Sequence, residues 1–144
     1  MIRKHKEEDL DKILRVWYKA QALAHPFLDS SFVEKVKKDM RELYIPNSET
    51  WVYEETGIVV GFIGMMENEI GGLFVLPNHH SKGVGTQLVS FVKEFNDELE
   101  VEVFKENKIG RAFYDKYGFE VFKELLDDNS GHVVLRMRFK KRSV

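Results

Sequence analysis

The residues best suited to chemistry lie in a short glycine-bearing segment, which reads His80-Ser81-Lys82-Gly83-Val84-Gly85. It follows the apolar run Gly71-Gly72-Leu73-Phe74-Val75, and apolar side chains then recur at helical spacing, at Val84, Leu88, Phe91, Val92 and Phe95. The first N–H groups of a helix have no intrahelical partner, and glycines let the backbone approach a bulky anion. Because Lys82 adds a cation, the segment predicts a phosphate or pyrophosphate site at a helix N-terminus. A tight strand-to-helix turn without any ligand is the alternative.

Two well-known phosphate-binding loops do not fit this segment. A P-loop has four residues between its glycines and a Gly-Lys-Ser/Thr ending, whereas one residue separates Gly83 from Gly85 and Thr86 follows. A dinucleotide-binding fingerprint has a third glycine three residues later, where Leu88 stands. The expectation is therefore the pyrophosphate of a nucleotide or coenzyme, held by a loop of another kind.

Apolar periodicity and turn residues predict the elements around this segment. The run from Gly71 to Val75 is too short for a helix and suits a strand buried on both faces, which Pro77 ends. Ser31-Phe32-Val33-Glu34 matches a capping box and predicts the start of the second helix. The whole pattern predicts strands near 1–3, 50–53, 58–66, 71–75, 99–103, 119–126 and 133–139, and helices near 8–24, 31–46, 84–95 and 107–116. This order, β-α-α-β-β-β-α-β-α-β-β, indicates a mixed α/β sheet with helices on both faces.

Composition excludes several classes of protein. The 144 residues are 43% hydrophobic and 32% charged, which fits one globular domain over 1–144. A net charge of −2 gives no electrostatic reason to expect nucleic acid as a partner. No apolar stretch approaches the ~20 residues of a membrane span, and the N-terminus lacks a signal-peptide core. With no cysteine in the chain, disulfides and thiolate metal sites are absent, and we expect a cytoplasmic protein.

The glycine segment resembles the acetyl-CoA signature of the GNAT superfamily of N-acetyltransferases, Arg/Gln-x-x-Gly-x-Gly/Ala between a strand and a helix. Gly83 and Gly85 match it, whereas His80 and Ser81 differ from the residues that the signature usually has. A second segment, Asn107 followed by Phe113-Tyr114-Asp115-Lys116-Tyr117-Gly118-Phe119, is similar to the family's Asn and Tyr-x-x-x-Gly-Phe pattern. The element order is also the GNAT order over essentially the whole chain, which implies a mostly antiparallel central sheet.

The resemblance implies direct transfer of acetyl from acetyl-CoA, bound as co-substrate and without a metal, to a primary amine. Tyr114 would protonate the leaving thiolate as general acid. The backbone of Leu73, Phe74 and Val75 would pair with the pantetheine arm, and the pyrophosphate would be held along Ser81, Lys82, Gly83, Val84, Gly85 and Thr86. Asn107 matches a position that contacts the coenzyme, and it suits the N-cap of the following helix equally well.

The sequence leaves the proton acceptor and the acceptor site open. Glu69 matches the position of the general base in some GNAT members, Glu67 could act through a water, and water alone could remove the proton. Two solvated turn carboxylates without a role are the alternative. His25 and Phe27 lie in the segment that walls the acceptor site of GNAT enzymes, so we expect both to bind substrate. A loop histidine that caps a helix end is the other interpretation of His25.

These observations predict an N-acetyltransferase whose acceptor is a small-molecule amine, a protein lysine or a protein N-terminus. The alternative function is a non-catalytic module that binds acyl-CoA and reports it to a partner. Neither nucleic acid nor a membrane is expected as a partner, and the sequence leaves monomer and homodimer open.

Overall fold

The structure, a computed structural model, describes residues 1–141, and within this range seven strands form one sheet. The strands are β1 (Ile2–Lys4), β2 (Glu49–Glu55), β3 (Ile58–Met66), β4 (Glu69–Val75), β5 (Glu98–Phe104), β6 (Glu120–Asp127) and β7 (His132–Lys140). The helices are α1 (Leu10–Ala24), α2 (Ser30–Asp39), α3 (Ile45–Asn47), α4 (Val84–Lys93) and α5 (Lys108–Tyr117). The predicted order of elements and the mixed α/β fold are confirmed, with the short α3 as an addition.

The sheet is antiparallel except at its centre, where β4 meets β5. Its strand order is β1-β2-β3-β4-β5-β7-β6, and β4 and β5 run parallel. They pair only at Glu69 with Glu100 and at Ile70 with Val101, and beyond these residues the two strands diverge. The rest of β4 therefore has a hydrogen-bonded neighbour on one side only, that of β3.

This divergence makes one prediction wrong. The run from Gly71 to Val75 was expected to be buried on both faces, yet Gly71 is exposed, and Leu73, Phe74 and Val75 are only partly buried. The apolar side chains are present, but β5, the neighbouring strand that would complete their burial, diverges from β4. In this chain the apolar run of β4 therefore borders an open cleft.

β3 forms the middle of the core and separates two layers of helices. Every residue from Val59 to Met65 is buried, as its continuous apolar run predicts. On one face, a Cβ added to Gly61 would lie 3.0 Å from Val84, so this face packs against α4. The alternate residues Phe62 and Gly64 point to the opposite face, where they line a cavity beside α1.

α1 is tied to the edge of the sheet by a buried ion pair. The Arg3 guanidinium donates to both carboxylate oxygens of Asp9, at 2.8 and 3.1 Å, and the Lys6 N–H donates to the same carboxylate. The hydrogen bonds from Arg3 lower the pKa of Asp9 to about 2, because they stabilise its charged form. This contact fixes the start of the helix that carries Gln21 and reaches His25.

α2 begins and ends differently from the prediction. Asp29 is its N-cap, with a carboxylate that accepts the Phe32 N–H at 2.8 Å, so the predicted capping box at Ser31 is wrong. After α2 the chain makes a π-helical turn over Met40–Tyr44 before α3. The wider turn shifts the helical register, and Leu43, three residues after the buried Met40, is 52% exposed.

Candidate active site

The glycine segment forms a strained turn that presents backbone N–H groups at the start of α4. Ser81 and Gly83 both have left-handed backbone conformations, with φ of 67° and 81°. Gly83 is the N-cap, and no side chain caps the helix. The first hydrogen bond runs from Gln87 N–H to the Gly83 carbonyl at 3.0 Å, which leaves the N–H groups of the three residues between them without an intrahelical partner. Such a turn provides a concave set of donors suited to an anion.

Gly85 was expected to let the backbone approach an anion, but the structure also gives a packing reason for a glycine at this position. A Cβ at this position would lie 3.1 Å from the Phe113 ring, so its small size allows α4 and α5 to approach closely. Val84 is fully buried and anchors the start of α4 against β3. Ser81, Lys82, Gly83 and Thr86 remain exposed, which keeps this side of the turn open.

The edge of β4 that faces the cleft has backbone groups that β3 does not pair. Leu76 N–H donates to the Val60 carbonyl at 2.8 Å, so the Val75 carbonyl of the same peptide unit points away from β3. Because alternate residues of a strand direct their N–H and C=O groups to the same side, Leu73 and Val75 both face the cleft. An extended ligand could add there as a further strand.

His80 has a role that the sequence did not reveal. Its Nε2 lies 2.9 Å from the Val75 carbonyl oxygen, which can only accept, so His80 donates from Nε2. The imidazole therefore ties the anion-binding turn to the end of β4. The residue that departs from the acetyl-CoA signature thus acts as a structural link. Only its position beside the glycines could have drawn attention to it.

Tyr114 lies on α5 with its ring in the core. The ring packs against Phe113 and Phe119, with centroids 5.2 and 5.1 Å away, and the residue is 6% exposed. Burial raises the pKa of its phenol above the usual range, so the hydroxyl stays protonated. Within residues 1–141 no protein group hydrogen-bonds this hydroxyl, whereas the neighbouring Tyr117 hydroxyl bonds Ser90 at 2.9 Å. A buried tyrosine usually has a partner for its hydroxyl, so a ligand is a reasonable candidate.

Asn107 and His25 lie together, although they are distant in sequence. Asn107 Oδ1 accepts the Gly110 N–H at 2.8 Å, which confirms that Asn107 is the N-cap of α5. This fixes its amide, whose Nδ2 donates to His25 Nε2 at 3.2 Å. Burial lowers the pKa of His25 to about 4, so its imidazole is neutral at neutral pH and its Nε2 lone pair is occupied.

His25 and Phe27 close one side of the opening between β4 and β5. The His25 ring packs edge to face against Phe74 of β4 and Phe104 of β5, with centroids 6.4 and 5.1 Å apart. Phe27 contacts both His25 and Phe104. The aromatic cluster therefore spans the diverging strands, and the two predicted substrate residues lie together there.

A cavity of about 330 Å³ lies between the sheet and the first two helices. Its floor is a row of small residues in register, Thr50 beside Gly64 and Gly64 beside Gly72. Apolar side chains of α2, among them Phe32, Val33 and Val36, form one wall. His25 and Phe74 also line it, so the cavity adjoins the aromatic cluster at the divergent strands.

Glu69 lines this cavity, whereas Glu67 does not. The Glu69 carboxylate is 42% exposed and accepts a hydrogen bond from Arg136 at 3.0 Å. The same guanidinium contacts Glu100 and Glu102, so one cation serves three carboxylates. The hydrogen bond with Glu69 is the main cause of a raised pKa for Arg136, and those with Glu100 and Glu102 also contribute. With three carboxylates around one guanidinium, the cluster has an excess of negative charge.

The described residues contain neither a metal-binding cluster nor a membrane-spanning helix. Among residues 1–141, no three His, Asp or Glu side chains are grouped so that they could hold a metal ion. In the same range no helix is long and apolar enough to span a membrane.

The chain is similar to known acetyltransferases in sequence. Residues 46–121 match the family model described as an acetyltransferase (GNAT) domain. The peptidyl-lysine N-acetyltransferase YiaC of Escherichia coli is 30% identical over 122 residues, which are 84% of each chain. The peptidyl-lysine N-acetyltransferase YjaB of the same organism is 27% identical over 121 residues, 83% of this chain and 82% of that one.

Solved structures have the same fold. The solution structure of apo YjaB from E. coli superposes with a TM-score of 0.88 at 25% identity, covering 99% of this chain and 98% of that chain. The PaiA N-acetyltransferase of Thermoplasma acidophilum, solved in complex with coenzyme A, has a TM-score of 0.81 at 20% identity, with 97% and 98% covered.

Proposed function

This chain belongs to the GNAT acetyltransferase family, and on that premise we propose that it transfers the acetyl group of acetyl-CoA to the ε-amine of lysine side chains in proteins. The coarser part of this function, an acetyl-CoA-dependent N-acetyltransferase, is established by the family and replaces the alternative of a non-catalytic module. The acceptor and the residue roles are the proposal. Two relatives that act on peptidyl lysine support the choice of acceptor.

One observation carries the proposal: β4 borders the open cleft on one side and the cavity on the other. Leu73 and Val75 direct backbone groups to the cleft, where pantetheine would pair with them. Gly72 and Phe74 line the cavity on the face of α1. A thioester at the end of the pantetheine arm would thus lie beside an amine that enters through the cavity.

The N–H groups at the start of α4 would hold the pyrophosphate of acetyl-CoA. The left-handed turn at Ser81 and Gly83 directs them outward, and the helix dipole favours the negative charge. Lys82 is exposed beside the turn and would add a cation. Asn107 acts in this proposal through His25 and through the start of α5, since both atoms of its amide are engaged by the protein.

The transfer requires two proton losses from the amine and one proton gain by sulfur. The ammonium first loses a proton to water, and its lone pair forms a bond with the thioester carbonyl carbon. The C–S bond then breaks with its electron pair on sulfur, which takes the proton of the Tyr114 hydroxyl. The new amide nitrogen loses its second proton to solvent, and Tyr114 recovers one from solvent. The products are the N-acetyl amine, coenzyme A and one released proton.

In this scheme Glu69 attracts the ammonium at the cavity, and solvent receives the proton. The carboxylate lines the cavity, which makes it a better candidate than Glu67 for any role with the amine. Its carboxylate already accepts a hydrogen bond from Arg136 at 3.0 Å, and the excess negative charge of the cluster supports a role in attracting the amine.

The test measures thiol release from acetyl-CoA with three kinds of acceptor, and mass spectrometry locates the acetyl group. The acceptors are an N-terminally blocked peptide with one lysine, a lysine-free peptide with a free N-terminus, and spermidine. We expect turnover on the blocked lysine peptide, with the acetyl group on the ε-nitrogen. Turnover on the free N-terminus or on spermidine alone would replace the proposed acceptor.

A further inference from the structure

Gln21 is a buried polar side chain for which the fold provides no partner. It lies on the inner face of α1 with 4% of its surface exposed, and it lines the cavity. Its backbone carbonyl accepts the His25 N–H at 2.7 Å, but within residues 1–141 no hydrogen bond engages its side-chain amide. The amide is not sealed off from solvent but faces the cavity, so a ligand or water there completes its hydrogen bonds.

The position of Gln21 relates it to the site of transfer. It precedes His25, the C-cap of α1, by four residues, and both side chains line the cavity. His25 contacts Phe74 on β4, beside the open cleft. A molecule that occupies the cavity and reaches the divergent strands would therefore pass along the face of α1 that carries Gln21.

The other lining groups indicate what that molecule is. The walls are mostly apolar, and the floor at Gly64 and Gly72 has no side chains. The Ser48 and Thr50 hydroxyls lie 3.1 Å apart, so one of them donates to the other. Among the lining residues the one acidic side chain that the structure describes is Glu69, which is already paired with Arg136. A polyamine or aminoglycoside would place further ammonium groups in this space without partners, which is unfavourable.

We propose that Gln21 determines acceptor specificity by accepting, through its Oε1, an N–H of a lysine ε-amino group whose methylene chain lies in the apolar cavity. This inference deepens the proposed function and rests on it. The unbranched stem of lysine suits apolar walls, and its single amine suits a single amide. Desolvation in the cavity favours the neutral amine, which is the nucleophile.

The first test replaces Gln21 by leucine, which has a similar size and no amide. The assay is thiol release from acetyl-CoA with the blocked lysine peptide. We expect the KM for the peptide to rise about tenfold, because one hydrogen bond to the acceptor is lost. The KM for acetyl-CoA and the rise in melting temperature that acetyl-CoA causes should not change. The melting temperature of the free enzyme should be equal or higher, since an unpartnered amide gives way to an apolar group.

The matched control is Lys19→Leu, which adds a leucine to the exposed face of the same helix. It should leave both KM values unchanged. If Gln21→Leu lowers the melting temperature and leaves the peptide KM unchanged, Gln21 is a structural residue and the inference is overturned.

A second variant tests the cavity without changing Gln21. A Cβ at Gly64 would lie 3.5 Å from Ser48 Oγ and 3.6 Å from Thr50 Oγ1, which is ordinary contact, so Gly64→Ala should keep most activity. Gly64→Val fills the floor and should reduce turnover of the peptide while acetyl-CoA still raises the melting temperature. Unchanged peptide kinetics in Gly64→Val would overturn the placement of the acceptor.

Failure of the inference and failure of the proposed function give different results. If the wild-type enzyme acetylates spermidine or an N-terminus and no lysine peptide, the lysine acceptor is wrong. In that case the lysine part of the inference is overturned, and the effect of Gln21→Leu on the KM of the other amine decides whether Gln21 binds an acceptor at all.

Discussion

Asn107 donates a hydrogen bond to the buried His25 across 82 positions of the chain, with its Nδ2 3.2 Å from His25 Nε2. The other atom of the same amide caps α5. A single side chain thus joins the helix that follows β5 to the loop that follows α1. Because His25 also packs against Phe74 and Phe104, this pair holds both sides of the diverging strands in place.

Replacing Asn107 by aspartate should raise the pKa of His25. Aspartate is as good an N-cap as asparagine, so the start of α5 should be preserved. A carboxylate in place of the donor Nδ2 would stabilise the imidazolium, whose pKa is otherwise about 4 because of burial. Titration of the His25 ring protons by NMR measures this. Asn107→Ala is the control, and it should lower the free energy of unfolding by about 1 kcal/mol while raising the pKa far less than aspartate does.

His25 should make the protein less stable as the pH falls below 6.5. Its pKa is about 4 in the folded chain and near 6.5 when unfolded, so the unfolded state binds more protons between these values. Above pH 6.5 the His25 imidazole is neutral in both states, so its burial does not lower the stability. Below pH 6.5 the free energy of unfolding should fall by up to ~1.4 kcal/mol per pH unit. Denaturant unfolding between about pH 7 and pH 5 measures the slope, before most carboxylates titrate. An equal slope in His25→Gln would contradict this assignment.

Tyr114→Phe should lower kcat by a factor of about 10² to 10⁴, the usual contribution of a general acid. The hydroxyl has no protein partner in the described chain, so the melting temperature and the effect of acetyl-CoA on it should change little. Tyr117→Phe is the matched control on the same helix. It loses the bond to Ser90 and should cost about 1 kcal/mol of stability with kcat retained. Normal turnover in Tyr114→Phe would exclude Tyr114 as the acid.

Gly83→Val should abolish the binding of acetyl-CoA. A side chain there would obstruct the turn, and φ of 81° is strained for any L-residue with a Cβ. Gly57 has the same φ of 81° in the turn between β2 and β3, with no atom near its Cβ position, so Gly57→Val carries equal backbone strain. Both variants should lose stability, but acetyl-CoA should still raise the melting temperature of Gly57→Val. If it also did so for Gly83→Val, the turn would not be the pyrophosphate site.

Glu69→Gln should raise the KM for a lysine peptide more than it lowers kcat. The carboxylate lines the cavity and attracts the ammonium, while solvent takes the proton. The pH–rate profile of the variant should therefore keep the acidic limb of the wild type. Disappearance of that limb, together with a large fall in kcat, would identify Glu69 as a general base.

The sequence alone predicted the order of the elements, the glycine turn before α4 and the N-cap at Asn107. These features depend on local chemistry: periodic apolar residues, glycines with positive φ, and a side chain that bonds its own helix. β3 was equally readable, because a strand buried on both faces is apolar throughout.

Only the tertiary structure shows which of these residues border the cleft and the cavity. The divergence of β4 from β5 depends on pairing between distant strands, so the apolar run of β4 could not show that it borders a cleft. The cavity exists because small residues of three strands lie side by side and because a π-helical turn follows α2. From the sequence, Gln21 could be recognised only as a polar residue on the apolar face of a helix. Its lack of a partner depends on every element that packs around it, and only the folded chain brings those elements together.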